Sequence, residues 1–307
     1  MNRPDVAFLG FKMDTVVTQI AAFATPVLAD DIAALSPERR AAITCAVTSA
    51  VNGASGELLD LLPNLSHIVS AGAGLDRFDF DDLRARGITL NDTGHLVSSD
   101  TAEMAVMLLL AMARDVVRAD DHVRSGRWAD GHFGYRIRVA GKTAGIVGLG
   151  RIGRLIAERL TGLGLDVAYH TRAPRPDAPW PHVGDLEELA ARSDFLVAAV
   201  PGGAATRNMF DAGVLRALGP RGYFVNISRG TVVDEEALIS ALTEGTIAGA
   251  ALDVFENEPR PDPRFAKLSN VTLTPHVAAI TEDYAAELAA DIARQVVAHL
   301  EISLPQA

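Results

Sequence analysis

The sequence predicts an α/β protein of two Rossmann-like lobes, each a doubly wound parallel sheet, with a cleft between them. Three observations carry that prediction. The stretch Ala144–Gly153, AGIVGLGRIG, joins a β-branched apolar run to Gly148, Gly150 and Gly153 and then to helically spaced Leu155, Ile156 and Leu160. Strand candidates from Gly145 onward alternate with helical segments, as a parallel sheet with crossover helices requires. The length of 307 residues is about twice the usual domain size, so two lobes are expected.

The composition narrows the function classes. With 49% apolar and 22% charged residues the chain reads as globular, and a formal net charge of −11 excludes the basic footprint of a nucleic-acid or anionic-membrane partner. Cys45 is the only cysteine, so no intramolecular disulfide forms; its apolar, strand-like setting marks a core residue in a reducing compartment. Val6–Leu9 is too short for a signal segment, and the longest apolar run, Met104–Ala113, falls short of a bilayer span. A cytoplasmic protein is expected.

In the first lobe Val6–Leu9, Ala46–Val51, His67–Ala71 and Ile88–Leu90 read as strands, and Gly56–Leu62 and Asp81–Arg86 as helices. The loop Ala71-Gly72-Ala73-Gly74 follows a strand directly and offers backbone N–H groups where ligands sit in open sheets, although a plain turn explains the same residues. Ser98, Ser99 or Asp100 is expected to cap a long apolar helix to Ala113, suited to a spine between lobes, a subunit contact or a core helix. Trp128–Tyr135 gathers aromatics and His132 among glycines, with nothing nearby to orient His132 as a catalyst.

The second lobe offers strands at Gly145–Gly148, Val167–His170, Phe195–Val200, Tyr223–Ile227, Ala248–Val254 and Val271–Leu273, with helices at Arg154–Leu163, Leu186–Ala191 and Glu235–Leu242. Gly141-Lys142-Thr143 is not a phosphate loop, because Arg136 stands where that motif needs glycine. Thr281–Ile302 is helical by pattern and is expected to cross back to the first lobe. The expected division is a discontinuous substrate domain, 1–97 with 277–307, and a dinucleotide-binding domain, 98–276.

In a strand–turn–helix unit the first glycine permits the turn, the second bares backbone to a pyrophosphate, and the third lets helix pack on strand. Gly148, Gly150 and Gly153 fit those parts, with Arg151 and Ile152 supplying backbone donors. The following strand ends at His170, Thr171, Arg172, Pro174, Arg175, with no carboxylate to repel a 2′-phosphate. Arginine forks onto phosphate and Thr171 has a hydroxyl to donate, so NADP(H) is the expected cofactor and NAD(H) the alternative; the competing account is a pair of solvated loop arginines. No metal-ligating set is assigned.

Arg229, Asp253, Glu258 and His276 each follow a strand candidate, and in a doubly wound sheet those ends face the glycine turn. Singly, each has an ordinary explanation: a surface ion pair, a solvated carboxylate, a core histidine. Together they suffice for reduction of a 2-oxo acid.

Six ordered segments then resemble one family: SAGAGLD at 70–76, VGLGRIG at 147–153, VPGGAATR at 200–207, NISRGTVVDE at 226–235, ALDVFENEP at 251–259 and LTPH at 273–276. The chain resembles the D-isomer-specific 2-hydroxyacid dehydrogenases, and within them the hydroxypyruvate and glyoxylate reductase branch. The resemblance implies that Arg229 grips the substrate carboxylate, that His276 donates the proton during reduction, and that Glu258 pairs with His276 and favours its charged form. It implies Asp253 as partner of the nicotinamide carboxamide, and Val200 and Pro201 on the adenine side, with Thr206 and Ile227 also assigned to the cofactor. Ala71, Gly72, Ala73 and Gly74 would bind the carboxylate from the first lobe, with lobe closure completing the site. Asn52, in a polar loop, and His95, where the family often has proline-rich spacing, leave the substrate side-chain pocket open. A homodimer is implied through the long helix and the aromatic loop.

The expected function is NADPH-dependent reduction of a small 2-oxo acid such as hydroxypyruvate or glyoxylate to the D-2-hydroxy acid. The alternatives are bulkier substrates, of 2-ketogluconate or phenylpyruvate type, and, from another class, a dinucleotide-sensing interaction protein.

Overall fold

Short apolar runs ended by glycine or polar turns form most of the strands, and every pairing between strands is parallel. In the computed structural model, which describes residues 3–302, the first sheet contains β1 (Asp5–Phe8), β2 (Thr25–Leu28), β3 (Cys45–Ser49), β4 (His67–Ala71) and β5 (Thr89–Asp92), in the order β2-β1-β3-β4-β5. The second contains β6 (Thr143–Val147), β7 (Asp166–His170), β8 (Phe195–Ala198), β9 (Tyr223–Asn226), β10 (Gly249–Leu252) and β11 (Val271–Leu273), in the order β11-β10-β9-β8-β6-β7. Both are Rossmann-type α/β sheets. One unit takes the chain up to Ser98 and again from Ile280; the other is Ser99–Ala279. Of the expected tail segment 277–307, residues 303–307 lie outside the described residues.

Each sheet has its own core. In the first unit Ile43, Ala46, Ile68 and Leu83 are at most 3% exposed, and Cys45 lies wholly buried on β3, where burial pushes its thiol up to about 12. In the second unit one sheet face packs Ile146, Val197 and Val225 against the helices Gly94–Arg114 and Arg151–Gly162. The other packs Leu196 and Phe224 against the helices Leu186–Ala191, Ala212–Leu218 and Glu235–Glu244. Full burial of each such side chain contributes about 1.5–3 kcal/mol.

Four features differ from expectation. β2 and the helices Asp14–Ala21, Pro37–Ala41, Val116–Arg124 and Ala212–Leu218 were not foreseen; β2 buries only Val27, so its sequence shows no alternation. The long helix starts at Gly94, not after Ser98. Gly94 N–H donates to the Asp92 carboxylate at 2.6 Å, and Ser98 Oγ donates back to Gly94 O at 2.8 Å, so Ser98 sits inside the helix and not at its cap. His95 therefore lies in a first helical turn and not in a loop. Finally, this 21-residue helix meets the length and apolarity of a membrane span, whereas the apolar run alone does not; half of its apolar window is buried, with Ala102, Ala105, Leu108 and Leu109 in the core.

Candidate active site

The chain reverses its direction of sheet-building at β6: β7 is added on one side and β8 on the other. The C-terminal ends of β6 and β8 thus flank the switch point, where ligands of such sheets bind. Gly148 stands there with φ +96°, and a Cβ on it would lie 2.4 Å from Ala199 O. A Cβ on Gly153 would come within 1.9 Å of Gly148 O, so only glycine lets the helix Arg151–Gly162 start so close to the turn. Gly150 differs: a Cβ there would meet no protein atom within 4 Å. Nothing among the described residues demands glycine at that point, and its bare backbone fits the close approach of a pyrophosphate. Arg151, Ile152 and Gly153 head a helix whose first-turn N–H groups have no intrahelical acceptor, which suits an anion. These residues fit a dinucleotide.

Val200 and Pro201 lie just past β8, which ends two residues earlier than expected; Thr206 Oγ1 closes that loop by donating to Pro201 O at 2.7 Å. His170 ends β7, and its carbonyl accepts from Gly148 N–H at 2.9 Å. Beyond it, Thr171 Oγ1 donates to Ala173 O at 2.7 Å, so its proton is held within the loop, while Arg172 and Arg175 are exposed. Ile227 is 7% exposed and its side chain belongs to the core.

The chemical groups collect at the ends of β9, β10 and β11. Buried Asn226 shapes the Arg229 turn, with Nδ2 donating to Arg229 O at 2.9 Å and Oδ1 accepting from Ser228 N–H at 3.0 Å. Gly230 then lies flat on the next loop: a Cβ would fall 1.8 Å from Phe255 C and 2.1 Å from Glu256 N. That contact fixes the Arg229 turn against the segment carrying Glu258. Glu258 Oε1 accepts from Phe255 N–H at 2.9 Å, and Oε2 accepts from His276 Nδ1 at 2.7 Å. Burial pushes the Glu258 carboxyl up, but the hydrogen bonds from His276 and Phe255 and the charges of His276 and Arg229 outweigh it and hold it below the ordinary carboxylate range. The two side chains are 29% and 32% exposed, within reach of a small substrate.

Asp253 is wholly buried. Its Oδ1 accepts from Thr274 Oγ1 at 2.6 Å and Val277 N–H at 3.0 Å, its Oδ2 from Ala278 N–H at 3.0 Å, and its carbonyl from His276 N–H at 2.8 Å. Its place is therefore inside the loop that presents His276. His276 itself has φ +54°, a left-handed conformation costly for a side chain of its size and concentrated at functional sites. Ser228 Oγ, beside Arg229, is buried with no hydrogen-bond partner among the described residues.

In the other unit the Ala71–Gly74 loop offers fewer donors than expected. Gly72 N–H is taken by Thr93 Oγ1 at 2.9 Å, and Ala71 is the last residue of β4, leaving Ala73 and Gly74 beyond the strand. Asn52 lies past β3 beside Gly10, its Oδ1 accepting from Ser49 Oγ at 2.5 Å. Sequence reasoning did not single out Asn226, Gly230 or Thr274. Asn226 and Gly230 fall within the NISRG segment, so attention to the neighbours of Arg229 would have found them.

Known proteins resemble the chain in sequence and in fold. Residues 106–278 match the family model for "D-isomer specific 2-hydroxyacid dehydrogenase, NAD binding domain". A glyoxylate/hydroxypyruvate reductase of Arabidopsis thaliana is 41% identical over 238 residues, covering 78% of this chain and 76% of the relative. A 2-ketogluconate reductase of Gluconobacter oxydans is 43% identical over 240 residues, covering 78% and 77%. Among solved structures, an NADPH-dependent glyoxylate/hydroxypyruvate reductase of Sinorhizobium meliloti, in complex with NADP and malonate, superposes with a TM-score of 0.90 at 35% identity, covering 97% of this chain and 94% of that one. Matched in sequence along most of its length and in fold along nearly all of it, the chain belongs to the D-isomer-specific 2-hydroxyacid dehydrogenase family.

Proposed function

We propose that the protein reduces a small 2-oxo acid, hydroxypyruvate or glyoxylate, to the D-2-hydroxy acid with NADPH. The observation that carries the reading is the 2.7 Å contact between His276 Nδ1 and Glu258 Oε2. An ionised carboxylate only accepts, so it fixes the proton on Nδ1 and leaves Nε2 as the nitrogen that delivers a proton to the substrate. Arg229 forks onto the substrate carboxylate and polarises the oxo group, and Glu258 stabilises the imidazolium that serves as acid. Asp253 acts through His276 by holding its loop. When bound, the nicotinamide supplies the hydride. In the first unit, Ala73 and Gly74 N–H groups are the remaining donors for a carboxylate.

NADP(H) is favoured by the exposed Arg172 and Arg175 and by the absence of a carboxylate at position 170. The chain is proposed to be cytoplasmic, consistent with its single, buried cysteine, and to form a homodimer. Exposed Val116, Val117, Val123, Trp128 and Tyr135, the last 98% accessible, support a partner surface. A sedimentation mass of one chain would remove the dimer.

The test of function is a comparison of kcat/KM for hydroxypyruvate, glyoxylate, 2-ketogluconate and phenylpyruvate with NADPH and with NADH. The highest values are expected for hydroxypyruvate or glyoxylate with NADPH. The 2-ketogluconate reductase relative makes bulkier substrates the second reading, and a higher value for 2-ketogluconate or phenylpyruvate would install it. Tight dinucleotide binding without turnover of any 2-oxo acid would favour a sensing role.

A further inference from the structure

We propose that Glu235 is a positioning residue for the proton donor: by holding the Glu256 N–H it fixes the segment that carries Glu258, and through Glu258 the orientation of His276. This deepens the reductase reading above and rests on it.

Glu235 opens the helix Glu235–Glu244, and its Oε1 accepts from Glu256 N–H at 2.7 Å. The preceding N–H, that of Phe255, donates to Glu258 Oε1 at 2.9 Å. Two consecutive backbone donors are thus taken by two carboxylates, one from within the loop and one from outside it. Glu258 meets its own loop at Phe255 and reaches His276 with its other oxygen, so the place of its carboxylate depends on the place of the Phe255–Glu256 peptide. The segment 226–235 holds that peptide at two points. Gly230 lies against it, with room for no Cβ, and Glu235 bonds its N–H. Close packing keeps the peptide from moving nearer to the Arg229 turn; the hydrogen bond keeps it from moving away. Val232 and Val233, between the two points, are at most 2% exposed, and Val233 forms a β-bridge with Phe210, so Glu235 projects from a fixed mount.

Support of the helix end does not account for this carboxylate. Asp234 already caps the helix, accepting from Ala237 N–H at 3.0 Å, and Glu236 places a further negative charge in the first turn. Glu236 is exposed and pairs with Arg264 at 2.6 Å, whereas Glu235 is half-buried. Burial and the charges of Glu256, Asp262 and Glu258 push the Glu235 carboxyl above the ordinary carboxylate range, against the stabilising Glu256 N–H. A carboxylate is therefore kept where its charge is disfavoured, and there it bonds the segment that carries Glu258. The Glu256 side chain is also tied to Arg207 at 2.8 Å, but that guanidinium is 57% exposed, so the ion pair does little to fix the segment.

The test measures kcat and KM of the full chain, with NADPH and the most rapidly reduced 2-oxo acid of the panel above, for Glu235→Ala, Glu235→Asp, Glu235→Gln and Glu236→Ala. Thermal denaturation checks that each variant is folded. Glu235→Ala is expected to lower kcat about ten-fold or more while KM stays within about two-fold, as for a misplaced catalytic group. Glu235→Asp keeps the charge at the helix head but not the reach; it is expected to lose kcat likewise and stands in for Glu235→Ala if that variant is unfolded. Glu235→Gln keeps an oxygen facing the Glu256 N–H and is expected to retain kcat within about three-fold, as is Glu236→Ala. In a Glu258→Ala background, Glu235→Ala is expected to cost less than about two-fold, because the carboxylate it places is gone. A wild-type kcat in both Glu235→Ala and Glu235→Asp, an equal loss in Glu236→Ala, a glutamine variant as impaired as the alanine one, or full additivity with Glu258→Ala each overturns the proposal and leaves the reductase reading standing. A wild type that reduces none of the 2-oxo acids overturns both.

Discussion

Glu258 is held ionised below the ordinary carboxylate range, with Oε2 on His276 Nδ1, and that charge works through one neighbour. Substituting Glu258→Gln keeps a side-chain oxygen and removes the anion, so the imidazolium loses its main electrostatic support. Reduction needs a proton donor oriented at the substrate, and the variant is expected to lose about ten- to a hundred-fold in kcat near neutrality. His276→Asn removes the acid itself and is expected to cost about 10²–10⁴ in kcat. A kcat for Glu258→Gln equal to that of the wild type would refute the pairing as a functional one. These residues were legible in the sequence because each follows a strand, and strand ends in a doubly wound sheet converge. The parts of Asp253 and Asn226 were not, because which N–H group a buried carboxylate or amide meets depends on backbone paths set by residues far along the chain.

At the scale of elements, the site is assembled by loops pressed together rather than by any one of them. Gly230 is the closest of these contacts: its missing Cβ leaves room for the Phe255–Glu256 peptide, which a methyl would overlap at 1.8–2.1 Å. Gly230→Ala must push apart the turn carrying Arg229 and the segment carrying Glu258. Its expected signature is a rise in substrate KM with a fall in kcat, and a loss of about 1–3 kcal/mol of stability as for other overpacked sites; unchanged kinetics would show that the two loops need no fixed spacing. Every strand of the two sheets except β2 was readable from apolar runs bounded by turns. The start of the helix Gly94–Arg114 was not, since Asp92 and Thr93 precede it and the more conspicuous Ser98–Asp100 cluster lies within its second turn. Only the back-bond from Ser98 to Gly94 O reveals that this serine is spent on the helix interior.

For the molecule as a whole, the two-sheet architecture followed from the alternation of strands and helices, but the histidine pair that closes the first unit did not, because its members are 232 positions apart in sequence. His67 opens β4 and is 7% exposed, its ring stacked on His299 near the end of the helix Glu282–Leu300 at 4.8 Å. Thr89 Oγ1 donates to Ser66 O, so it accepts from His67 Nδ1 at 2.7 Å, while His299 Nε2 lies 3.2 Å from Ser66 Oγ. Burial, and then the neighbouring His299, hold His67 below the ordinary imidazole range in the folded chain. A histidine depressed in the fold binds its proton more readily when unfolded. Its contribution to stability is therefore complete above the unfolded value of about 6.5 and is lost as pH falls through the folded one. Chemical denaturation is expected to give lower stability at about pH 5 than at about pH 7.5, and His67→Asn, which keeps a donor toward Thr89, is expected to flatten that difference. An equally steep fall in the variant would assign the acid sensitivity to other groups.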